Sequence, residues 1–292
     1  MHVKVHIVNA FIDGESGGNP AGVVVDANGL SAAQKLSIAQ NIGLSETAFV
    51  SASQIATYKL EFFTPLRQIA HCGHATVATF SLLRQLGMLG EGLHTKETID
   101  GIRDIVLQSD MAFMEQRAPT YQHIDQGSDT AVRVLSSLGL KTEQLIASLG
   151  PCVVTTGNAF MLIAVNTEAD LKYLQPQQEQ VQAISDELDL IGFYPFTLMT
   201  QRQHRTAAAR MFAPRFGIPE EAGTGMAAGP LACYLHDVMQ IPSTQILIEQ
   251  GWLMPTPSPS VIHVNLQLQG TQIQRLLAGG RAKVVSTTTM DI

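Results

Sequence analysis

Charge is scarce in this sequence: Asp, Glu, Lys and Arg make up 15% of its 292 residues, against about 25% in an average soluble protein. Eighteen basic and 25 acidic residues leave a net charge of −7, with no run of either sign. A nucleic-acid binder needs a basic face, and the nearest approach is the scattered trio Arg202, Arg205 and Arg210. Nucleic acid is therefore not expected as a partner, although a small anion could still be held by a few local groups. Cysteine is equally sparse. Cys72, Cys152 and Cys233 are odd in number, far apart and without a CxxC pair, which argues against disulfides and against a thiolate zinc site. No stretch approaches about 18 uninterrupted apolar residues, so no membrane span is expected. The first ten residues alternate, Val3, Val5 and Ile7 against Lys4 and His6, rather than forming the apolar stretch of a signal peptide. No GxSxG elbow, Walker loop or helix-opening GxGxxG occurs. A soluble cytoplasmic protein is the expectation.

What the chain has is apolar surface, with 45% hydrophobic residues. At this length it can bury about three quarters of its unfolded surface, which excludes intrinsic disorder, and about 150 residues per domain suggests two domains. Alternation and apolar runs predict strands at Val3–Val8, Ala21–Val25, Leu44–Val50, Tyr58–Phe63, Thr155–Val165, Phe193–Thr200, Val261–Leu268 and Gly279–Ser286. Ser31 with Gln34 three residues later is a capping box; Ala32, Leu36, Ala39 and Ile42 follow at helical spacing, and Gly43 closes the helix. A second helix starts at Glu168. The pattern reads as strand-rich α+β.

The two halves resemble each other. Phe62-Phe63-Thr64-Pro65 precedes His71-Cys72-Gly73-His74-Ala75-Thr76 and an apolar helix; Met211-Phe212-Ala213-Pro214 precedes Ala222-Gly223-Thr224-Gly225-Met226-Ala227 and an apolar helix. A helix N-terminus offers about four unpaired N–H groups and partial positive charge, and a glycine there admits a ligand close to the backbone. Two such ends facing one cleft would suit a carboxylate or an enolate-like anion. Two small-residue helices are also good packing elements.

Glu46 is the most telling side chain. In an extended segment, period two sets it beside Leu44, Ala48 and Val50, and apolar neighbours disfavour its charged form in a way useful to proton transfer; an exposed position at a strand entrance is the alternative. His74 could donate to a ligand or pass a proton, or simply cap its helix. Cys72, at a helix start, either loosens its proton there or is buried and inert. His71, Cys72 and His74 look like metal ligands, but adjacent side chains cannot easily share one tetrahedral ion and no fourth partner has suitable spacing, so no metal is expected. Glu221-Ala222-Gly223-Thr224-Gly225 resembles a phosphate loop only loosely, lacking the lysine that would follow.

Taken together, Gly18-Asn19-Pro20-Ala21-Gly22-Val23-Val24, Leu44-Ser45-Glu46-Thr47-Ala48-Phe49-Val50, Phe63-Thr64-Pro65, Cys72-Gly73-His74-Ala75-Thr76, Arg210-Met211-Phe212-Ala213-Pro214 and Glu221–Pro230 resemble the PhzF-like isomerase family, in order and over most of the chain. The resemblance implies a diaminopimelate-epimerase-like α+β fold of two pseudo-symmetric lobes, each a curved, mostly antiparallel sheet wrapped round a central helix. One lobe would be residues 1–117 closed by about 276–292, the second 118–275, with the site between them. It implies proton transfer on a small carboxylate-bearing metabolite without metal or organic cofactor, commonly in a homodimer. Glu46 matches the proton-shuttling glutamate, His74 the histidine of the Gly-His motif, and Gly73 and Gly225 the turns that hold the substrate carboxylate. Asn19, Ser45, Thr224 and Met226 fall in the same substrate-binding stretches, with Cys72 and Glu221 as further catalytic candidates. Three residues depart from the family pattern: Glu221-Ala222 replaces Asp-Pro, Met226 replaces a small polar residue, and Gln68 stands where Glu is common. Without a second thiol opposite Cys72, a Glu46-centred shift is the expected chemistry. A non-catalytic anion- or partner-binding relative, and an amino-acid racemase, are the alternatives.

Overall fold

The computed structural model describes residues 2–292, which divide into two compact units: the chain up to Glu115 with Gly279–Ile292, and Gln116–Ala278. In the first unit the chain runs β1 (His2–Ala10), β2 (Asn19–Val24), α1 (Ala32–Ile42), β3 (Thr47–Ser51), β4 (Tyr58–Phe63), β5 (Gln68–Ile69), α2 (Gly73–Gln85), β6 (Gly92–Thr98), β7 (Gly101–Gln108) and β8 (Met111–Arg117). Antiparallel pairs β1–β2, β3–β4, β6–β7 and β7–β8 alternate with parallel pairs β2–β3 and β4–β6. The sheet is therefore mixed. α1 forms as its signals predict: Ser31 and Gln34 make the reciprocal capping box, and Gly43 adopts the left-handed conformation (φ 68°) that a side chain would resist. Its Ile38 and Ala39 join Val3, Val5, Val24, Phe49 and Phe63 in one core, where the Phe49 and Phe63 rings meet edge to face at 5.5 Å.

The strand expected from Leu44 starts only at Thr47, so Leu44–Glu46 is a bend and period two does not apply to it. Thr47 to Val50 are all buried, as a strand covered on both faces requires. Gly22 explains how β3 reaches its neighbour: a Cβ there would lie 2.7 Å from Thr47 Oγ1, so only glycine permits the approach. Its N–H donates to the Glu46 carbonyl at 3.0 Å. The Gly22-containing stretch thereby fixes the backbone that carries Glu46.

The second unit contains β9 (Thr120–His123), α3 (Asp129–Ser137), β10 (Cys152–Thr155), β11 (Ala159–Ala164), α4 (Glu168–Lys172), α5 (Gln178–Glu187), β12 (Gly192–Thr197), β13 (Ala207–Ala209), β14 (Met211–Ala213), β15 (Ile218–Glu221), α6 (Gly225–Asp237), β16 (Gln245–Gln250) and β17 (Ser260–Gln269). The single strand expected over Thr155–Val165 is instead the hairpin β10–β11, with Gly157 (φ 120°) in the turn. Its core gathers Val134, Leu135, Met161, Ile163, Val181, Phe193 and Phe212. The last strand, β18 (Gln272–Asp291), is longer than predicted, and its C-terminal part pairs antiparallel with β1.

α2 and α6 are the longest helices, thirteen residues each, and both open on glycine. α2 is buried throughout Gly73–Leu83 and packs on β1, β2, β3 and β7; α6 packs on β10, β11 and β17. No helix among the described residues is long and apolar enough to cross a membrane.

Candidate active site

Three candidate residues of the first unit converge. Glu46, Cys72 and His74 are each more than nine-tenths buried, and one ligand-type atom from each lies within 4.8 Å of the others. Glu46 arrives from the bend before β3, Cys72 caps the N-terminus of α2, and His74 occupies its first turn. His74 stands between the other two: its Nε2 is 3.4 Å from Glu46 Oε2, and its Nδ1 is 3.5 Å from Cys72 Sγ.

Burial pushes the Cys72 thiol up from its ordinary range, and nearby Glu46 adds to this, against an opposing pull from His74. The helix start therefore does not loosen the Cys72 proton; burial outweighs it. In the tautomer in which the thiol donates to Nδ1, Nε2 carries the ring proton, 3.4 Å from the Glu46 carboxylate. The three side chains stand in a row, thiol, imidazole and carboxylate, beside the first turn of α2. With 4% exposure, Cys72 is expected to react with iodoacetamide at pH 7.5 at least about tenfold more slowly than a free thiol, measured by mass spectrometry.

Asn19 is buried at the start of β2. Ser45 is exposed, and Gln68 is half-buried on β5.

In the second unit Glu221 is buried at the end of β15, and Thr224 Oγ1 donates to its carboxylate in a short hydrogen bond. Gln250, which the sequence did not single out, organises the loop. Its Nε2 donates to the Glu221 carbonyl (2.7 Å) and to Thr224 Oγ1 (3.1 Å), and its Oε1 accepts from the Thr224 N–H (3.1 Å) and the Tyr194 hydroxyl (2.8 Å). The Thr224 hydroxyl thus holds the Glu221 carboxylate, while its N–H is held by Gln250. Gly225 opens α6, its carbonyl accepting from Gln116 (2.8 Å). Met226 is half-buried, its sulfur 3.4 Å from Asn158 Nδ2.

The family described as phenazine biosynthesis-like protein, PhzC-PhzF, matches residues 8–288. The uncharacterized isomerase YddE of Escherichia coli is 28% identical over 98% of this chain and 97% of its own length. A trans-2,3-dihydro-3-hydroxyanthranilate isomerase of Pseudomonas aeruginosa is 29% identical, covering 88% of each chain. The crystal structure of a Bacillus anthracis phenazine biosynthesis protein of the PhzF family superposes over the whole of both chains, with a TM-score of 0.88 at 27% identity.

Proposed function

This chain belongs to the PhzC-PhzF family of phenazine biosynthesis-like proteins and is an isomerase of it, and from that premise we propose that it moves a carbon-bound proton on a small carboxylate-bearing metabolite. Glu46 is the acid and base of this reading, and no cofactor takes part. The observation that carries it is the buried Glu46–His74–Cys72 row. The Glu46 carboxylate takes a proton from carbon: the C–H bond breaks, an O–H bond forms, and the released pair delocalises into an enolate-like anion. The O–H bond then breaks, the proton goes to a different carbon, and the double bond shifts. Protein and substrate are thereby left with the atoms they began with. His74 Nε2 stands 3.4 Å from one carboxylate oxygen and the second serves the substrate, while the first amides of α2 face negative charge as it develops.

Two-thiol racemisation has less support, because Met226 has no proton to transfer and Cys72 keeps its own. In this reading the two units are copies of one lobe, Asn19, Gly73, Thr224 and Gly225 lie in substrate-binding stretches, and the protein is a homodimer. The activity for which the Pseudomonas relative is named makes a cyclic dihydro-aromatic carboxylate the first compound to try.

The test is deuterium wash-in. The protein is incubated in D₂O with trans-2,3-dihydro-3-hydroxyanthranilate and a panel of small amino, hydroxy and cyclic diene acids. Incorporation read by mass spectrometry, lost in Glu46→Gln, supports the reading. Incorporation that survives the substitution moves the base to Cys72 or His74. Binding of a panel member, seen as a thermal shift without exchange, favours a non-catalytic relative.

A further inference from the structure

Lys96, on β6, is fully buried. Lysine is almost never buried without a counter-charge, yet no carboxylate among the described residues lies within ion-pair distance of its ammonium. Its Nζ instead donates to Thr76 Oγ1 at 2.6 Å, contacts His71 Nδ1 at 3.1 Å, and sits 5.2 Å from the centre of the Phe62 ring. These partners lead straight to the candidate active site. The Thr76 hydroxyl, accepting from Lys96, passes its own proton forward to the Cys72 carbonyl at 2.6 Å. That carbonyl belongs to the same peptide unit as the Gly73 N–H, the first amide of α2. His71 immediately precedes Cys72.

We infer that Lys96 is a positioning residue for the candidate active site, polarising the Cys72–Gly73 peptide through Thr76 and fixing the His71 ring, so that the Gly73 N–H becomes a stronger donor to a bound anion. The inference rests on the proposed proton-transfer site and adds to it the source of its anion stabilisation. Hydrogen bonds in a chain polarise one another, more so when the first donor is charged and the surroundings are dry. A peptide whose oxygen accepts such a bond has a more positive N–H at its opposite end.

The protonation states agree. Burial, with the nearby Lys96 and Arg103 charges, holds His71 well below its ordinary value, so its Nδ1 is free to accept. Burial pulls Lys96 down to about 7, with Arg103 acting in the same sense and Cys72 and Asp100 opposing. The unfolded chain therefore keeps a proton on Lys96 between about pH 7 and 10.5 that the folded chain has released. The unfolded state binds more protons across that range, so this group makes stability rise with pH there. It also means that a neutral replacement removes a burial cost at pH 6.

Lys96→Met and Thr76→Val test the inference. The Gly73 amide proton, observed by NMR, is expected to move upfield in each variant, with no further movement in the double variant. The His71 ring is expected to leave its single Nε2–H tautomer in Lys96→Met. Where a substrate has been found, kcat/KM at pH 6, where Lys96 keeps its proton, is expected to fall about tenfold, the loss of a charge-assisted bond. The melting temperature of Lys96→Met at pH 6 is expected at or above that of the unaltered protein, which then gains on the variant from pH 7 to 10. A purely structural lysine would give the reverse: a lower melting temperature at pH 6 with the Gly73 resonance in place. That result, or kcat/KM within twofold, overturns the inference. If Glu46→Gln retains exchange, the proton-transfer reading fails by itself; the Gly73 and His71 resonances still report on Lys96.

Discussion

Glu46→Gln is expected to slow deuterium incorporation by about a thousandfold or more, the upper part of what a positioned acid and base contributes. The amide has the shape of the acid and none of its basicity. It leaves untouched the 3.0 Å bond from Gly22 N–H to the residue 46 carbonyl, which holds the bend, and it adds no charge to a site that is 6% exposed. Its melting temperature should therefore match that of the unaltered protein, separating lost chemistry from lost fold. Glu46→Asp supplies the complementary measurement. It keeps the basicity but withdraws the carboxylate by one methylene from substrate and from His74 Nε2, and a displacement of about 1 Å costs on the order of a hundredfold. Exchange in Glu46→Gln within tenfold of the unaltered protein would remove Glu46 from the mechanism.

Glu220→Ala is expected to lower the unfolding free energy by about 3–5 kcal/mol, the cost of stripping one partner from a buried ion pair. Arg210 and Glu220 meet as fork to fork, Nε to Oε1 at 2.7 Å and Nη2 to Oε2 at 2.8 Å, with side-chain exposures of 7% and 12%. Arg210 Nη1 also donates to the carbonyls of Leu171 and Lys172 at the end of α4, and the guanidinium lies 5.0 Å from the Phe212 ring centre. One cation thus ties together the β13–β14 junction, α4 and β15, the strand that delivers Glu221. Without Glu220 that cation stays buried and uncompensated. Urea unfolding at an unchanged m-value measures the loss. Removing both charges, in Arg210→Met with Glu220→Leu, should recover most of it. A loss below about 1 kcal/mol in the single variant would mean that water reaches the pair.

How far the sequence foretells this molecule depends on where each signal originates. The α1 boundaries follow from Ser31, Gln34 and Gly43, residues within one short stretch acting on their own backbone. Tyr58–Phe63 is the predicted strand residue for residue. Glu46, Cys72 and His74 are recognisable by type and motif, but their meeting is a tertiary fact. Glu46 is placed by Gly22 on a neighbouring strand, and period-two reasoning sets it in a strand that begins one residue later. The proton on Cys72 is likewise decided by burial, which overrides the helix start in front of it. Lys96 gives no sign at all. It stands in His94-Thr95-Lys96-Glu97-Thr98, which reads as an exposed strand, and its purpose is visible only once Thr76 and His71 face it. Gln250 is hidden for the same reason, four hydrogen bonds converging on an amide that in sequence merely ends a strand.

The pairing of β1 with the end of β18 sets a timetable for synthesis. His2 lies opposite Asp291 and Ala10 opposite Ala282, so the edge of β1 waits until residues 282–291 have been made. All of Gln116–Ala278, one contiguous unit, is made in between, which takes roughly ten to thirty seconds at bacterial-to-eukaryotic rates of translation. During that interval β1 presents an open row of backbone donors and acceptors, the kind of edge that recruits chaperones or a second nascent chain. Gln116–Ala278 can fold before the unit that carries Glu46 is closed by Gly279–Ile292.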